Sequence, residues 1–273
     1  MKSASVPKIH GLKILTTNSL KTAKGFNKGD LKPILTAILY LYPNALLCPH
    51  AKACRAHCLV HAGQGGMSET VRDCRIRRTL LFQHDRAWFI DALKKDIVLF
   101  EAYCKKHGYT PAVRLNGTSD LLWERMIDLD QFESVFYDYT KIPVRHRHTV
   151  HVTFSYDAIN IVECQNAILA GKNVAVCFKD RLPESFLGLP VYSGDLDDMR
   201  FLDDHAGAIC GLVYKRDTRK KHLRTPADNG FIVDMDRNPT LDLLSATRED
   251  IARYNAEMTK AYTEYKGITG WNK

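Results

Sequence analysis

Short apolar runs that end in polar or glycine-rich tips recur from Pro111 onward, and no other feature limits the architecture of this chain as tightly. Residues 112–115 lead into Asn116-Gly117-Thr118-Ser119-Asp120, residues 134–139 into Thr140-Lys141-Ile142-Pro143, and residues 150–154 into Ser155-Tyr156-Asp157. Residues 173–178, 190–192 and 208–213 repeat the pattern, the last two ending in Ser193-Gly194-Asp195 and Tyr214-Lys215. Between them an amphipathic helix is expected through Leu121, Leu122, Met126 and Ile127, and another over residues 160–171, where Asn160 and Glu163 are close to a capping box. Strands alternating with helices read as a parallel sheet with covering helices. With residues 34–42 as a first buried strand, about six or seven strands predict an α/β fold, a full or partial (β/α) barrel of the TIM type with its helices outside. Barrel enzymes place their sites at the carboxyl ends of the strands. There Asn116, Ser119, Asp120, Lys141, Ser155, Asp195, Asp197, Asp198 and Lys215 would ring a common mouth.

The first strand delivers the chain into Cys48-Pro-His50-Ala-Lys-Ala-Cys54-Arg-Ala-His57-Cys58-Leu-Val-His61. Thiols and imidazoles this dense are chiefly useful for holding a metal ion or an iron–sulfur cluster. Zinc needs a fourth ligand, which His50, His57 or His61 can supply, whereas a cluster held by Cys48, Cys54 and Cys58 leaves one iron open. Cys74, Cys104, Cys164, Cys177 and Cys210 offer no Cys-x-x-Cys pair, which argues against a two-knuckle zinc ribbon.

Beyond this loop, Gly63-Gln-Gly65-Gly66 is a turn able to approach an anion, and Ser68 caps a helix reaching about residue 82. A second helix, residues 86–106, carries Trp88, Phe89, Leu93, Ile97 and Phe100 at core spacing and stops at His107-Gly108. The chain closes with one or two helices over residues 243–265, starting near Thr247. One domain, residues 34–273, is expected to follow a basic, irregular arm, residues 1–33.

The eight cysteines, with no apolar leader at the start, point to a reducing, cytoplasmic compartment, and no apolar run suits a membrane partner. A net charge of +8 favours a polyanionic partner, nucleic acid above all. Lys215, Arg216, Arg219, Lys220, Lys221 and Arg224 form the densest basic run, with Arg145 to His148 as a second patch.

A cysteine triplet after the first strand, a Gly-Thr-Ser-Asp strand end and a strand running into Thr-Lys-x-Pro occur here in that order. In this the chain resembles the phage proteins called gene product eighty-eight and gene products thirty-seven and sixty-eight, distant radical-SAM-like barrel proteins. The resemblance covers roughly residues 39–155. It implies that Cys48, Cys54 and Cys58 hold a [4Fe–4S] cluster whose open iron chelates S-adenosylmethionine. It also implies that Asn116, Gly117, Thr118, Ser119 and Ser155 border that cofactor and that Lys141 pairs with its carboxylate. Reductive cleavage of the cofactor would release a 5′-deoxyadenosyl radical to take hydrogen from the substrate, and the host cytoplasm would be the location. The spacing here is Cys-x5-Cys-x3-Cys, wider than the usual radical-SAM Cys-x3-Cys-x2-Cys, and Leu59 stands where an aromatic often follows the third cysteine.

Three functions are therefore expected to compete. The first is a cluster-dependent enzyme modifying nucleic acid or a nucleotide-derived base. A base transglycosylase would instead use Asp120 or Asp195 as nucleophile or general base, with a zinc-bound or structural thiol loop. The third is a non-catalytic, metal-stabilised nucleic-acid-binding protein.

Overall fold

The structure, a computed structural model, describes residues 8–17, 33–61, 68–143, 149–215 and 230–264. The Gly63–Gly66 turn, the 145–148 patch, Arg216, Arg219, Lys220, Lys221, Arg224 and most of the expected arm lie outside the described residues.

Among the described residues nine strands form one mostly parallel sheet. They are β1 (Ile34–Ile38), β2 (Thr110–Arg114), β3 (Val135–Thr140), β4 (Val150–Ser155), β5 (Val174–Phe178), β6 (Ser185–Phe186), β7 (Leu189–Ser193), β8 (Ile209–Val213) and β9 (Ile232–Val233). The order is β1-β2-β3-β4-β5-β8-β7-β6, with β9 added in parallel to the last residues of β5. Strands β4 and β5 are staggered and pair only where the carboxyl end of β4, Phe154 and Ser155, meets the start of β5, Val174 and Ala175; β9 pairs with the last residues of β5, Cys177 and Phe178.

The expected strand and helix alternation is present, but among the described residues the sheet is open and does not close into a barrel. A closed barrel needs its first and last strands to pair. Here the outer edge of β1 is taken by Thr16, whose N–H and C=O bond Ile38 at 2.9 Å each. At the far end β6 and β7 make an antiparallel hairpin, turned by Leu187 and Gly188, both with positive φ as a primed two-residue turn requires. The β7–β8 connection then crosses one face of the sheet. Its Met199 packs on Ile34, Ala112 and Tyr137 of β1, β2 and β3, filling space that a barrel would enclose by closure.

The opposite face carries the helices. Helix α1 (Glu69–His84) begins at Ser68, whose Oγ accepts the Val71 N–H. Helix α2 (Arg86–His107) is capped by Asp85 and ends on Gly108 at φ 73°, the left-handed position glycine occupies most readily. Phe82, Phe89, Leu93, Ile97 and Phe100 of this pair pack on Leu35, Ala37, Val113 and Phe136. Helices α3 (Ile161–Leu169) and α4 (Arg248–Glu264) cover β4, β5 and β8 through Ile161, Cys164, Ile251 and Tyr254. The closing segment is one helix, opened by a capping box in which Thr247 and Asp250 exchange hydrogen bonds. Residues 8–17 pack as well: the Lys13, Ile14 and Leu15 N–H groups all donate to the Asp96 carboxylate on α2.

The helix expected through Leu121, Leu122, Met126 and Ile127 is instead two single 3-10 turns, Trp123–Arg125 and Leu129–Gln131. Asn116 accounts for the first break. Its side-chain oxygen accepts from Leu121 N–H, Ser119 Oγ and Trp123 Nε1, while its Nδ2 donates to the Leu121 carbonyl. Such local side-chain bonds compete directly with helix formation. None of the described helices is long and apolar enough to cross a membrane.

Candidate cysteine-loop site

Past Ile38 the chain leaves the sheet and is fastened to the segment that follows β2. Gly117 N–H donates to Leu39 O at 3.0 Å, Thr118 Oγ1 to Leu41 O at 2.5 Å, and Asp120 N–H to Leu47 O at 2.8 Å. Gly117 is needed for this approach, because a Cβ there would lie 2.6 Å from Leu39 O and 2.6 Å from Ile38 Cγ2. Asn44 turns the chain by accepting the Leu46 and Leu47 N–H groups, and the Cys48 thiol faces the Thr118 carbonyl at 4.0 Å.

A 3-10 turn, Ala53–His57, carries the second cysteine. Its start is clamped by Asp157, just past the end of β4: Lys52 N–H donates to Oδ2 at 2.8 Å and Cys54 N–H to Oδ1 at 2.7 Å. Asp157 is held in turn through its own N–H, which donates to Asn160 Oδ1. His57 is packed edge-on to Tyr214 at 5.7 Å and stacked on Phe231 at 6.2 Å, so the loop also touches the ends of β8 and β9.

Lys141, at the end of β3, supplies the positive charge. Burial alone would lower its ammonium, but Cys54, Asp157, Asp120 and Cys48 together hold it above its ordinary value. Asp120 is engaged by the protein through both oxygens, accepting from Thr140 Oγ1 at 2.7 Å and from Lys141 N–H at 2.8 Å. That is the geometry of a positioning carboxylate. Burial pushes the Cys48 thiol up to about 12, with Cys58 and Asp120 adding to the effect and Lys141 opposing it. Cys54 is likewise raised by burial, against the pull of Lys141, and it also feels Cys58 and Cys48. The three thiols therefore lie within one another's fields. Cys48 and Cys54 are protonated at neutral pH and would each release a proton on binding a metal.

The expected mouth is assembled in part. Asn116, Gly117, Thr118, Ser119, Asp120 and Lys141 gather beside the cysteines, and their polar atoms build the loop's frame. Asn116 also reaches Asp138 through its N–H and Nδ2. Ser155 is partly buried, and its carbonyl accepts from Asn160 Nδ2 at 2.9 Å. Asp195 ties β7 to β8 instead, accepting Val213 N–H at 2.7 Å and facing exposed Lys215 at 3.4 Å. Asp197 and Asp198 turn away onto the other face of the sheet, where they pair with Arg200 and Arg114.

Sequence reasoning passed over Asp157 as a working residue and read Arg75 only as one of a basic cluster with Arg72, Arg77 and Arg78. Arg75 is buried on α1, its guanidinium 5.0 Å above the Tyr40 ring and within the field of Cys58. A signal existed: Arg75 lies one turn before Thr79 and two before Phe82, on the face that α1 buries.

Cys48, Cys54 and Cys58 fit a soft metal or cluster in donor type and in neighbourhood. Among the described residues no three His, Cys, Asp or Glu side chains are gathered tightly enough to hold an ion as they stand. Ligation would thus draw the loop's side chains together.

An open parallel α/β sheet, with a three-cysteine loop fastened at the carboxyl ends of its first four strands, defines the class of protein. The family described as Gene product 88 matches residues 12–232, and the chain belongs to that family. No curated protein and no solved structure matches it.

Proposed function

We propose that this protein is a radical-SAM-like enzyme that uses a [4Fe–4S] cluster on Cys48, Cys54 and Cys58 to modify a nucleic acid or a nucleotide-derived base. The observation that carries the reading is the placing of Cys48 and Cys54 beside Lys141 at the strand ends, with Cys58 within the field of both thiols, on a loop held by Asp157 and residues 116–120. When bound, such a cluster supplies an open iron and an electron for cleaving S-adenosylmethionine. The chain's own part is to present three thiolates, to offset their charge with Lys141, and to shield the site with His57, Tyr214 and Phe231. The net charge of +8 supports a polyanionic substrate.

Anaerobic purification followed by iron and acid-labile sulfide analysis tests the proposal. Iron and sulfide with broad visible absorbance, lost in Cys58→Ala, is the expected result, and S-adenosylmethionine with a reductant should then yield 5′-deoxyadenosine. Zinc at about one per chain would overturn the cluster and make the loop structural. A chain that carries neither metal anaerobically would overturn both readings.

A further inference from the structure

Arg75, on α1, is buried without a carboxylate partner among the described residues, whereas Arg78, one helical turn on, is half-buried and lies within the field of Asp96. Arg75 is 8% exposed, and its Nε and Nη1 have no hydrogen-bond partner. Arg78 donates Nη1 to Thr16 Oγ1 at 3.3 Å. Among the described residues neither forms an ion pair, and burial lowers both below the ordinary guanidinium value. Charge buried without a counter-charge is costly, so paired or ligand-bound cations are the rule inside proteins.

The position of Arg75 is well determined. Thr79, one turn further along α1, accepts the Tyr42 N–H at 2.7 Å and donates to the Tyr42 carbonyl at 3.3 Å, fixing the helix to the exit of β1. Tyr42 in turn packs its ring 6.1 Å from His61 at the end of the cysteine loop. The Tyr40 ring lies under the guanidinium and orients it. Lys141, on the other side of the same loop, already has Asp120 and Asp157 to balance it. Among the described residues no carboxylate pairs with Arg75, and the groups that act on it are Tyr40 and Cys58.

We propose that Arg75 anchors an anion site beside the cysteine loop, which receives a carboxylate or phosphate group of a small-molecule ligand. Guanidinium is suited to both, since it donates from a planar, permanently charged group. The site goes beyond the cluster reading and does not depend on it.

The test is the melting temperature of the full chain, wild type and Arg75→Gln, at constant ionic strength in sodium chloride, sodium phosphate or sodium acetate. The expected result is a saturable rise of about 2–5 °C for wild type in phosphate, acetate or both, relative to chloride, and none for the variant. In chloride alone Arg75→Gln should melt at or above the wild type, because an uncompensated buried charge has been removed. A phosphate response assigns a phosphorylated ligand and an acetate response a carboxylate. If neither anion moves the wild type, or if Arg75→Gln keeps its response, the proposal is overturned. Should Arg75→Gln fail to fold, Arg75→Lys decides: an anion response weakened about tenfold in midpoint supports the site, and an unchanged one overturns it. Since the readout needs no iron, its failure is separate from failure of the cluster.

Discussion

Two groups of buried charge lie on either side of this sheet, and they are matched differently. On the face crossed by the β7–β8 connection, Arg114 meets Asp198 at 2.9 Å and Asp138 at 3.7 Å, and it lies 4.7 Å from the Tyr139 ring. Arg200 meets Asp197 at 3.0 Å and Asp203 at 3.5 Å, with the Cys210 sulfur 3.0 Å from Nη1. Burial opposes both charges, yet Asp198 above all for Arg114, and Tyr139, Cys210 and Asp203 for Arg200, hold each guanidinium above its ordinary value. At the strand ends Lys141 is matched in the same way, but Arg75 is not. Arg114 and Arg200 also leave Nε without a hydrogen bond, but each faces two carboxylates, and that pairing marks the first group as architecture, which fixes the connection across the sheet. Incomplete matching marks the second as a place where a ligand supplies what the fold omits.

The contrast can be broken most strongly at Asp198. Asp198→Ala leaves Arg114 buried with its main partner gone, and urea unfolding should show a loss of about 3–5 kcal/mol. A loss below about 1 kcal/mol would mean that the face is not held by charge. Asp157→Asn should cost less, about 1–3 kcal/mol, because it weakens two hydrogen bonds to the loop backbone. Hydrogen exchange should then speed up at Lys52 and Cys54 while β1 and β2 stay protected; uniform exchange across these segments would count against a local clamp.

The smallest effect is expected from alkali. Burial pushes the Cys48, Cys104 and Cys177 thiols up from 9.0 to about 12. Below about pH 9 these thiols are protonated in both the folded and unfolded chain, so their contribution is fully present. Between about pH 9 and 12 only the unfolded chain loses the protons, and stability falls as pH rises. Each thiol should account for about 1.4 kcal/mol by pH 10, and Cys104→Ala should flatten the urea-midpoint profile above pH 9. An identical slope in that variant would show that Cys104 does not titrate in this range.

Much of the framework was legible in the sequence because buried strands and capped helices are written locally. Ser68 marked the start of α1 and the His107-Gly108 stop the end of α2 within a residue or two. The apolar runs marked β2, β3, β4, β5 and β8. The short strands β6 and β9 were not legible, since two residues make no pattern. Neither was the break after Asn116, where one amide outcompetes a helix that the periodicity favoured. At the site, the density of Cys48, Cys54, Cys58 and their histidines stood out in one short stretch. Their clamp did not, because Asp157 lies 103 residues beyond Cys54.

The sequence by itself determined the longer strands, the longer helices and the thiol-rich loop, all of which follow from periodicity and side-chain chemistry over a few neighbouring residues. Only the tertiary structure decided that the sheet stays open, because strand closure depends on where Thr16 and the β7–β8 connection pack. It also decided which charges are matched. The pairing of Arg114 with Asp198 spans 84 residues, and no local pattern sets whether a buried cation meets a partner that distant. Arg75 and Arg114 are both buried arginines; what separates them, among the described residues, is the carboxylate that folding brings to one and not to the other.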